Sequence, residues 1–181
     1  MPHSHVVEKA AGSHSATEIF RLAPDGAIPN STQPTLVYRG VFSQRDDAGA
    51  QWLEKRFADN GWTDAWRSSV YPFHHFHSNT HEVLGAFAGK ALLQLGGEHG
   101  PEVDLRAGDV LVIPAGVAHK NLHATDGFQV VGAYPEGREP DMRTGVESEQ
   151  PAVEKSVANV PVPKTDPVFG VGGDGLRAFW R

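Results

Sequence analysis

Residues 71–121 decide the fold, and they read YPFHHFHSNTHEVLGAFAGKALLQLGGEHGPEVDLRAGDVLVIPAGVAHKN. Short apolar runs alternate there with glycine-rich turns, a pattern typical of many short β-strands joined by tight connections. Seven of the ten histidines lie between His74 and His123. Four side chains of this region could bind a metal ion, and they recur at defined spacing: His75, His77, Glu82 and His119. The sequence therefore predicts an all-β fold with a metal site inside it.

The same residues resemble the two motifs of the cupin superfamily. The first motif runs His-x-His, a short spacer, Glu, six residues and Gly, and it is matched from His75 to Gly89. The second runs Gly, five residues, Pro-x-Gly, two residues, His, three residues and Asn, and it is matched from Gly108 to His119. At the last position of that motif this chain has His123 instead of Asn. So many fixed positions in the right order leave little room for a chance match.

More narrowly, the segments 28–40, 81–89 and 161–170 are similar to those of the YjlB-type group of small bacterial cupins. The resemblance implies a cupin-type double-stranded β-helix, that is, a jelly-roll barrel with one or two helices. It also implies one divalent transition metal, held by His75, His77, Glu82 and His119.

The residues themselves support this ligand set. Side chains alternate between the two faces of a strand, so a strand over residues 68–77 places His75 and His77 on one face. Glu82 opens the next strand, and His119 starts a later one that only a folded sheet brings close. Three imidazoles and one carboxylate suit Fe, Mn, Ni, Cu or Zn. The remaining coordination positions are available for water or substrate.

Two further histidines need an assignment. His123 lies four residues beyond His119, which predicts the same strand face, and we take it as the candidate catalytic residue. The alternative is a structural polar residue near the barrel rim. His81 is next to Glu82, and because neighbours on a strand face opposite ways, only one of these two side chains can face the metal.

The rest of the chain predicts one cupin domain. Residues 1–17 read as a flexible tail, residues 18–181 as the domain, with the barrel core at about 66–135 and a C-terminal extension over 136–181. One helix is expected within residues 43–61. Several apolar residues of the extension should pack on the barrel or across a subunit boundary: Val168, Phe169, Leu176, Phe179 and Trp180.

Composition restricts the partners. The net charge is −6 without a basic cluster, which argues against nucleic acid or an anionic membrane surface as a partner. The chain has no cysteine, so neither disulfides nor thiolate ligands are available, and a cytoplasmic location is expected. No apolar run approaches the roughly 20 residues that a membrane span needs. We predict a homodimer that binds a small molecule.

The expected function is metal chemistry on that small molecule. A metal-dependent enzyme of dioxygenase or isomerase type is the first hypothesis. An isomerase would need a base near the bound carbonyl, and His123 is the one candidate. The alternative hypothesis is a cupin module that binds a metabolite or metal without turnover.

Overall fold

The computed structural model describes residues 6–11 and 16–181, and within these ranges the architecture is mainly β. Eight antiparallel strands form one sheet: β1 (Val6–Ala11), β2 (Ala16–Arg21), β3 (Thr35–Tyr38), β4 (Trp62–Ser68), β5 (Glu82–Leu95), β6 (Glu102–Arg106), β7 (Val110–Ile113) and β8 (His119–Pro135). Their order across the sheet is β1-β2-β3-β7-β5-β8-β4, and β6 pairs with β5. The predicted all-β class is confirmed.

Helices are few in the part of the chain that the structure describes: α1 (Asp46–Asp59), α2 (Gln150–Ala158), α3 (Leu176–Phe179) and a 3₁₀ turn at Glu147–Glu149. Helix α1 lies within the residues where the sequence predicts one. Leu53 and Phe57, about one turn apart, bury its apolar face against the sheet. Gly85 of β5 allows this close approach, because a Cβ there would lie 2.4 Å from Leu53 Cδ2. None of these described helices combines the length and apolar character needed to cross a membrane.

Strands β5 and β8 are the longest and hold the barrel together. Gly89 and Lys90 read locally as a tight turn, but β5 continues through these residues. Gly89 has φ 64°, and a Cβ there would lie 2.5 Å from the Thr125 carbonyl oxygen of β8, so the glycine serves close strand packing. β5 pairs with β7 through residues 82–85 and with β6 through residues 90–94. The first part of β5 thus pairs with β7 and a later part with β6.

The two faces of the sheet carry separate apolar clusters. Val83 and Val112 belong to the cluster that includes α1 and the C-terminal extension. Their sequence neighbours Leu84 and Leu111 point to the opposite, inner face and belong to the cluster there. Glu82 lies two residues before Leu84 and therefore faces the same inner side.

The sheet extends beyond the predicted barrel core of residues 66–135. Val6–Ala11, within the segment predicted as a flexible tail, pairs along its whole length with β2. Residues 1–5 and 12–15 of that tail lie outside the described residues. β1 is held by a ladder of backbone hydrogen bonds, which sequence composition does not reveal.

The C-terminal extension packs against the sheet through a buried carboxylate. Asp166 is 0% exposed and accepts four hydrogen bonds. Its Oδ1 accepts from the backbone N–H groups of Val168 (2.7 Å) and Phe169 (2.9 Å). Its Oδ2 accepts from the Leu176 N–H (2.9 Å) and from the Tyr38 hydroxyl of β3 (2.5 Å). Val168 and Leu176 are thereby fixed in the α1-side cluster, as expected for packing on the barrel.

Candidate metal centre

The connection from β4 to β5, residues 69–80, carries the two histidines of the His-x-His motif. Its prediction as a strand over residues 68–77 is corrected by the structure, because regular pairing ends with β4 at Ser68. Two isolated bridges hold the connection instead, His75 to His119 and Phe76 to Arg143. Phe76 is buried against a small apolar cluster, and the flanking His75 and His77 both line one cavity.

Three histidines of that cavity use Nδ1 to bind the backbone and leave Nε2 for the cavity. Each Nδ1 lies within hydrogen-bond distance of a backbone carbonyl oxygen: His75 at Phe73 (3.0 Å), His77 at Asp141 (2.5 Å) and His119 at Val117 (3.2 Å). A carbonyl oxygen only accepts, so each Nδ1 carries hydrogen and donates it. The Nε2 lone pairs are then directed away from the backbone, which is the orientation that a metal-binding imidazole adopts.

Glu82 brings a carboxylate to two of these nitrogens. Its Oε2 lies 3.0 Å from His77 Nε2 and 3.3 Å from His119 Nε2. The ligand atoms of the three residues all lie within 4.8 Å of one another, and all three side chains are buried. Converging acceptor atoms in a buried place repel one another unless a cation lies between them. This donor set therefore fits a metal ion.

The electrostatics of the cluster favour an ionised carboxylate. Burial raises the pKa of Glu82, but its hydrogen bonds to His119 and His77 and their charge lower it to well below its ordinary value. Burial lowers the pKa of His77. The hydrogen bond to Glu82 and the charge of Glu82 together outweigh burial, so the pKa of His77 is raised overall. A proton on His77 and a metal ion thus compete for the same place beside Glu82.

His75 lies at the edge of this cluster. It is outside the set of three whose ligand atoms lie within 4.8 Å of one another. Its ring centroid is 4.1 Å from that of His119 and 6.1 Å from that of His77. Burial, and then the proximity of His119, lower the pKa of His75 to about 3, so it stays neutral at physiological pH. The structure thus brings His77, Glu82 and His119 together and places His75 beside them.

The cluster opens into a cavity of about 290 Å³, which suits a small molecule. The other lining residues are mainly aromatic or apolar: Trp66, Val70, Tyr71, Leu84, Tyr134, Pro140 and Met142. Ser68, Ser69 and Asp141 add polar groups. Among the described residues, the lining contains neither lysine nor arginine. These lining residues thus offer neither an ammonium nor a guanidinium group to a negatively charged ligand.

Comparison with known proteins identifies the family. The model of the cupin domain matches residues 67–131. A protein from Bacillus subtilis (strain 168), described as uncharacterized protein YjlB, is 41% identical over 155 residues, covering 85% of this chain and 91% of that protein. The chain belongs to the cupin superfamily. The predicted jelly-roll fold and the similarity to the YjlB-type cupins are both confirmed.

Solved structures with a similar fold include two enzymes. An acireductone dioxygenase from Bacillus anthracis, with a cadmium ion in its active centre, is 19% identical with a TM-score of 0.37, covering 52% of this chain and 64% of that one. An oxalate decarboxylase is 16% identical with a TM-score of 0.35, covering 76% of this chain and 30% of that one. This cupin spans less than two thirds of either chain, and the likeness concerns the fold alone.

Tyr134 is a residue of this cupin's site that sequence reasoning missed. Its hydroxyl donates to Glu82 Oε1 (3.4 Å) and accepts from Trp66 Nε1 (2.8 Å). Burial, and then the charge of Glu82, raise the pKa of Tyr134, so the hydroxyl keeps its proton. A signal was present, since alternation along β8 from the inner-face residue Val130 puts position 134 on the same face.

Asp141 was missed for a different reason, because it lies in a polar, proline-containing part of the C-terminal extension, a composition typical of an exposed loop. Its carbonyl orients His77, and its carboxylate accepts from the Ser78 N–H (2.7 Å). Arg143 donates to the same carboxylate at 3.0 Å. This segment therefore closes one wall of the cavity, an arrangement that no local sequence pattern indicates.

His123 does not reach the cavity of this cupin. It is exposed and is not one of the lining residues. Between Asn121 and His123 the pairing of β8 with β5 shifts by one position, so Leu122 is an extra residue. A bulge of this kind reverses the alternation of side chains beyond it. The predicted shared face with His119 is therefore corrected by the structure.

His81 faces away from the metal centre, as alternation with Glu82 predicts. Its Nδ1 accepts from the Ala115 N–H (2.9 Å), and its Nε2 donates to the Pro161 carbonyl (3.0 Å). Its ring lies 4.7 Å from that of Trp180. Burial lowers the pKa of His81 to about 4, against a smaller opposing effect of its bond to Pro161. The residue fastens the C-terminal extension to the second cupin motif.

Proposed function

We propose that this cupin is a metal-dependent enzyme that acts on a small molecule. His77, Glu82 and His119 are the proposed ligands, and His75 is the fourth. The observation that carries the proposal is the convergence of two Nε2 atoms on one carboxylate oxygen in the wall of a cavity. Iron, manganese, nickel, copper and zinc all suit imidazole and carboxylate ligands.

The chain's own groups prepare the site. The backbone carbonyls of Phe73, Asp141 and Val117 fix the three rings, so the nitrogens need no reorientation on binding. The ionised Glu82 supplies one negative charge to a bound cation. When bound, a divalent transition metal supplies a Lewis-acidic centre with open positions for substrate.

A dioxygenase-like reaction is favoured over an isomerase-like one. The isomerase hypothesis depends on His123 as the base, and that side chain is exposed outside the cavity. The neutral His75 lines the cavity beside the three other proposed ligands. With His75 as the fourth ligand, a six-coordinate metal ion would have two positions left for small ligands. A dioxygenase needs two such positions, for its substrate and for O₂.

The lining also limits the substrate. The described lining residues include the carboxylate of Glu82 but neither lysine nor arginine, so a dianionic molecule would find no ammonium or guanidinium group in the cavity wall. Aromatic faces and two serine hydroxyls instead suit a compact molecule with an apolar part and a few hydroxyl or thiol groups. Small diols and thiols are therefore the first substrates to test.

The test is elemental analysis of protein purified without a metal-affinity tag, for Fe, Mn, Ni, Cu and Zn together. Near one ion per chain is expected in the wild type and in His123→Ala, which removes an exposed histidine of the same strand as His119. His77→Ala and His119→Ala should each lose most of the metal. Full occupancy in both of these variants would place the site elsewhere.

Turnover separates the enzyme from a binding module. Metal-loaded protein should consume oxygen with a small diol or thiol, and His77→Ala should not. Full metal occupancy without oxygen uptake on any such compound would favour a non-catalytic cupin that holds a metabolite or metal. We also propose a homodimer, supported by the exposed apolar side chain of Val171 in the C-terminal extension. A cytoplasmic location is proposed from the absence of cysteine from the sequence.

A further inference from the structure

We infer that Tyr134 is a positioning residue of the metal centre: its hydroxyl, held by Trp66, occupies Oε1 of Glu82 and leaves Oε2 for the ion. This inference rests on the proposed metal site and adds two residues to it that are not ligands. Tyr134 acts through Glu82, and Trp66 acts through Tyr134.

The direction of the hydrogen bonds follows from the groups involved. The indole N–H of Trp66 only donates, so the Tyr134 oxygen must accept it at 2.8 Å. The hydroxyl hydrogen is then free to point to Glu82 Oε1, 3.4 Å away. The other oxygen, Oε2, lies 3.0 Å and 3.3 Å from the Nε2 atoms of His77 and His119. The two carboxylate oxygens thus have separate partners.

The backbone is shaped to hold the indole in this place. Trp66 pairs with Gly132 of β8, and a Cβ on Gly132 would lie 2.3 Å from two indole carbons, Cε2 and Cζ2. Only glycine lets the ring approach β8 this closely. The pairing of β4 with β8 also shifts between Thr63 and Trp66, and Asp64 there has φ 58°. Such bulges change the direction of a side chain. Here that side chain is Trp66, which orients Tyr134.

Fixing one carboxylate oxygen has a consequence for the ion. A carboxylate that is free to rotate can bind through both oxygens or turn away. With Oε1 engaged by Tyr134, Glu82 would offer a metal ion only Oε2. Partners of this kind change metal affinity by about 10–100-fold when they are removed. The 3.4 Å separation from Tyr134 is long for a hydrogen bond, so about tenfold is expected here.

The probe is Co²⁺, whose visible absorption reports the geometry of its ligands and whose affinity can be measured against a chelator. Tyr134→Phe should weaken Co²⁺ binding by about tenfold and change the absorption spectrum. Trp66→Phe should change both in the same direction and by less. Tyr38→Phe, which removes a tyrosine hydroxyl that is bonded to Asp166 outside the cavity, is the matched control and should leave affinity and spectrum as in the wild type.

The route through Glu82 has its own test. In a Glu82→Gln background, Tyr134→Phe should no longer change Co²⁺ affinity, because the charged oxygen that it positions is gone. Wild-type affinity and spectrum in Tyr134→Phe would overturn the inference and leave the metal site intact. An equal loss from Tyr134→Phe with and without Glu82 would also overturn it. If the wild type binds no Co²⁺ at all, the proposed function fails together with the inference.

Discussion

Replacing Asp166 by Asn should lower the free energy of unfolding by about 3 kcal/mol. The carboxylate is completely buried and accepts four hydrogen bonds. These bonds fasten the C-terminal extension both to itself and, through Tyr38, to strand β3. The substitution keeps the shape of the side chain, so its effect comes from hydrogen bonding and charge.

The magnitude follows from counting acceptors. Asn has one oxygen where Asp has two, so in either orientation its NH₂ group faces two of the four donors. With the amide nitrogen at the Oδ2 position, the Tyr38 hydroxyl can turn and accept, but the Leu176 N–H loses its partner. Hydrogen bonds to a charged acceptor contribute about 1.5–3 kcal/mol each. Burial raises the pKa of Asp166, and the neutral amide avoids that cost of a buried charge, which lowers the total.

The assay is urea unfolding at neutral pH, with the slope against urea concentration checked for constancy. Tyr38→Phe is the control, because it removes one donor and leaves the carboxylate with three backbone N–H groups. It should cost about 1 kcal/mol. If Asp166→Asn unfolds within about 0.5 kcal/mol of the wild type, or costs less than Tyr38→Phe, the carboxylate does not anchor the extension as described.

Two further predictions concern pH and packing. The pKa of His81 in the folded protein, about 4, is below its value of about 6.5 in the unfolded chain, so its contribution to stability is present above pH 6.5 and is lost as pH falls toward 4. The wild type should lose about 2 kcal/mol more than His81→Asn between pH 7.5 and pH 5 in urea unfolding, and equal losses would contradict this. Gly132→Ala should cost about 1–3 kcal/mol, since its Cβ would overlap the Trp66 ring. Gly173→Ala, where a Cβ meets nothing within 4 Å, should be neutral in the same measurement.

The motifs allowed the sequence to predict the core of the candidate site. The spacing of His77, Glu82 and His119 follows the cupin pattern, and simple alternation assigned Glu82 and His81 to opposite faces. Alternation alone left open which of the two faces the metal, and the motif selected Glu82. The argument succeeds because β5 is regular from its first residue. The same argument fails at His123, where one extra residue in β8 reverses the alternation. A bulge depends on the partner strand, so neither motif reveals it.

The remaining misses involve contacts between distant parts of the chain. Gly89 reads as a turn residue because of its conformational freedom, but the structure uses that freedom where β5 and β8 pack closely. Asp141 lies in a polar, proline-containing segment, and its carbonyl becomes important only when the segment meets His77. Strand β1 is recognisable only through its pairing with β2. The local sequence pattern predicts strands, helices and turns, whereas these features arise from tertiary packing.

The backbone carbonyls behind the three imidazoles have an evolutionary consequence. A point substitution at Phe73 or Val117 changes a side chain but leaves the main-chain oxygen that orients the histidine. The ligand geometry is therefore buffered against most missense mutations at these positions. Insertions and deletions are different, because they move the oxygen itself. A library of random variants selected for loss of metal should thus be rich in length changes near these carbonyls and poor in single substitutions of the residues that carry them.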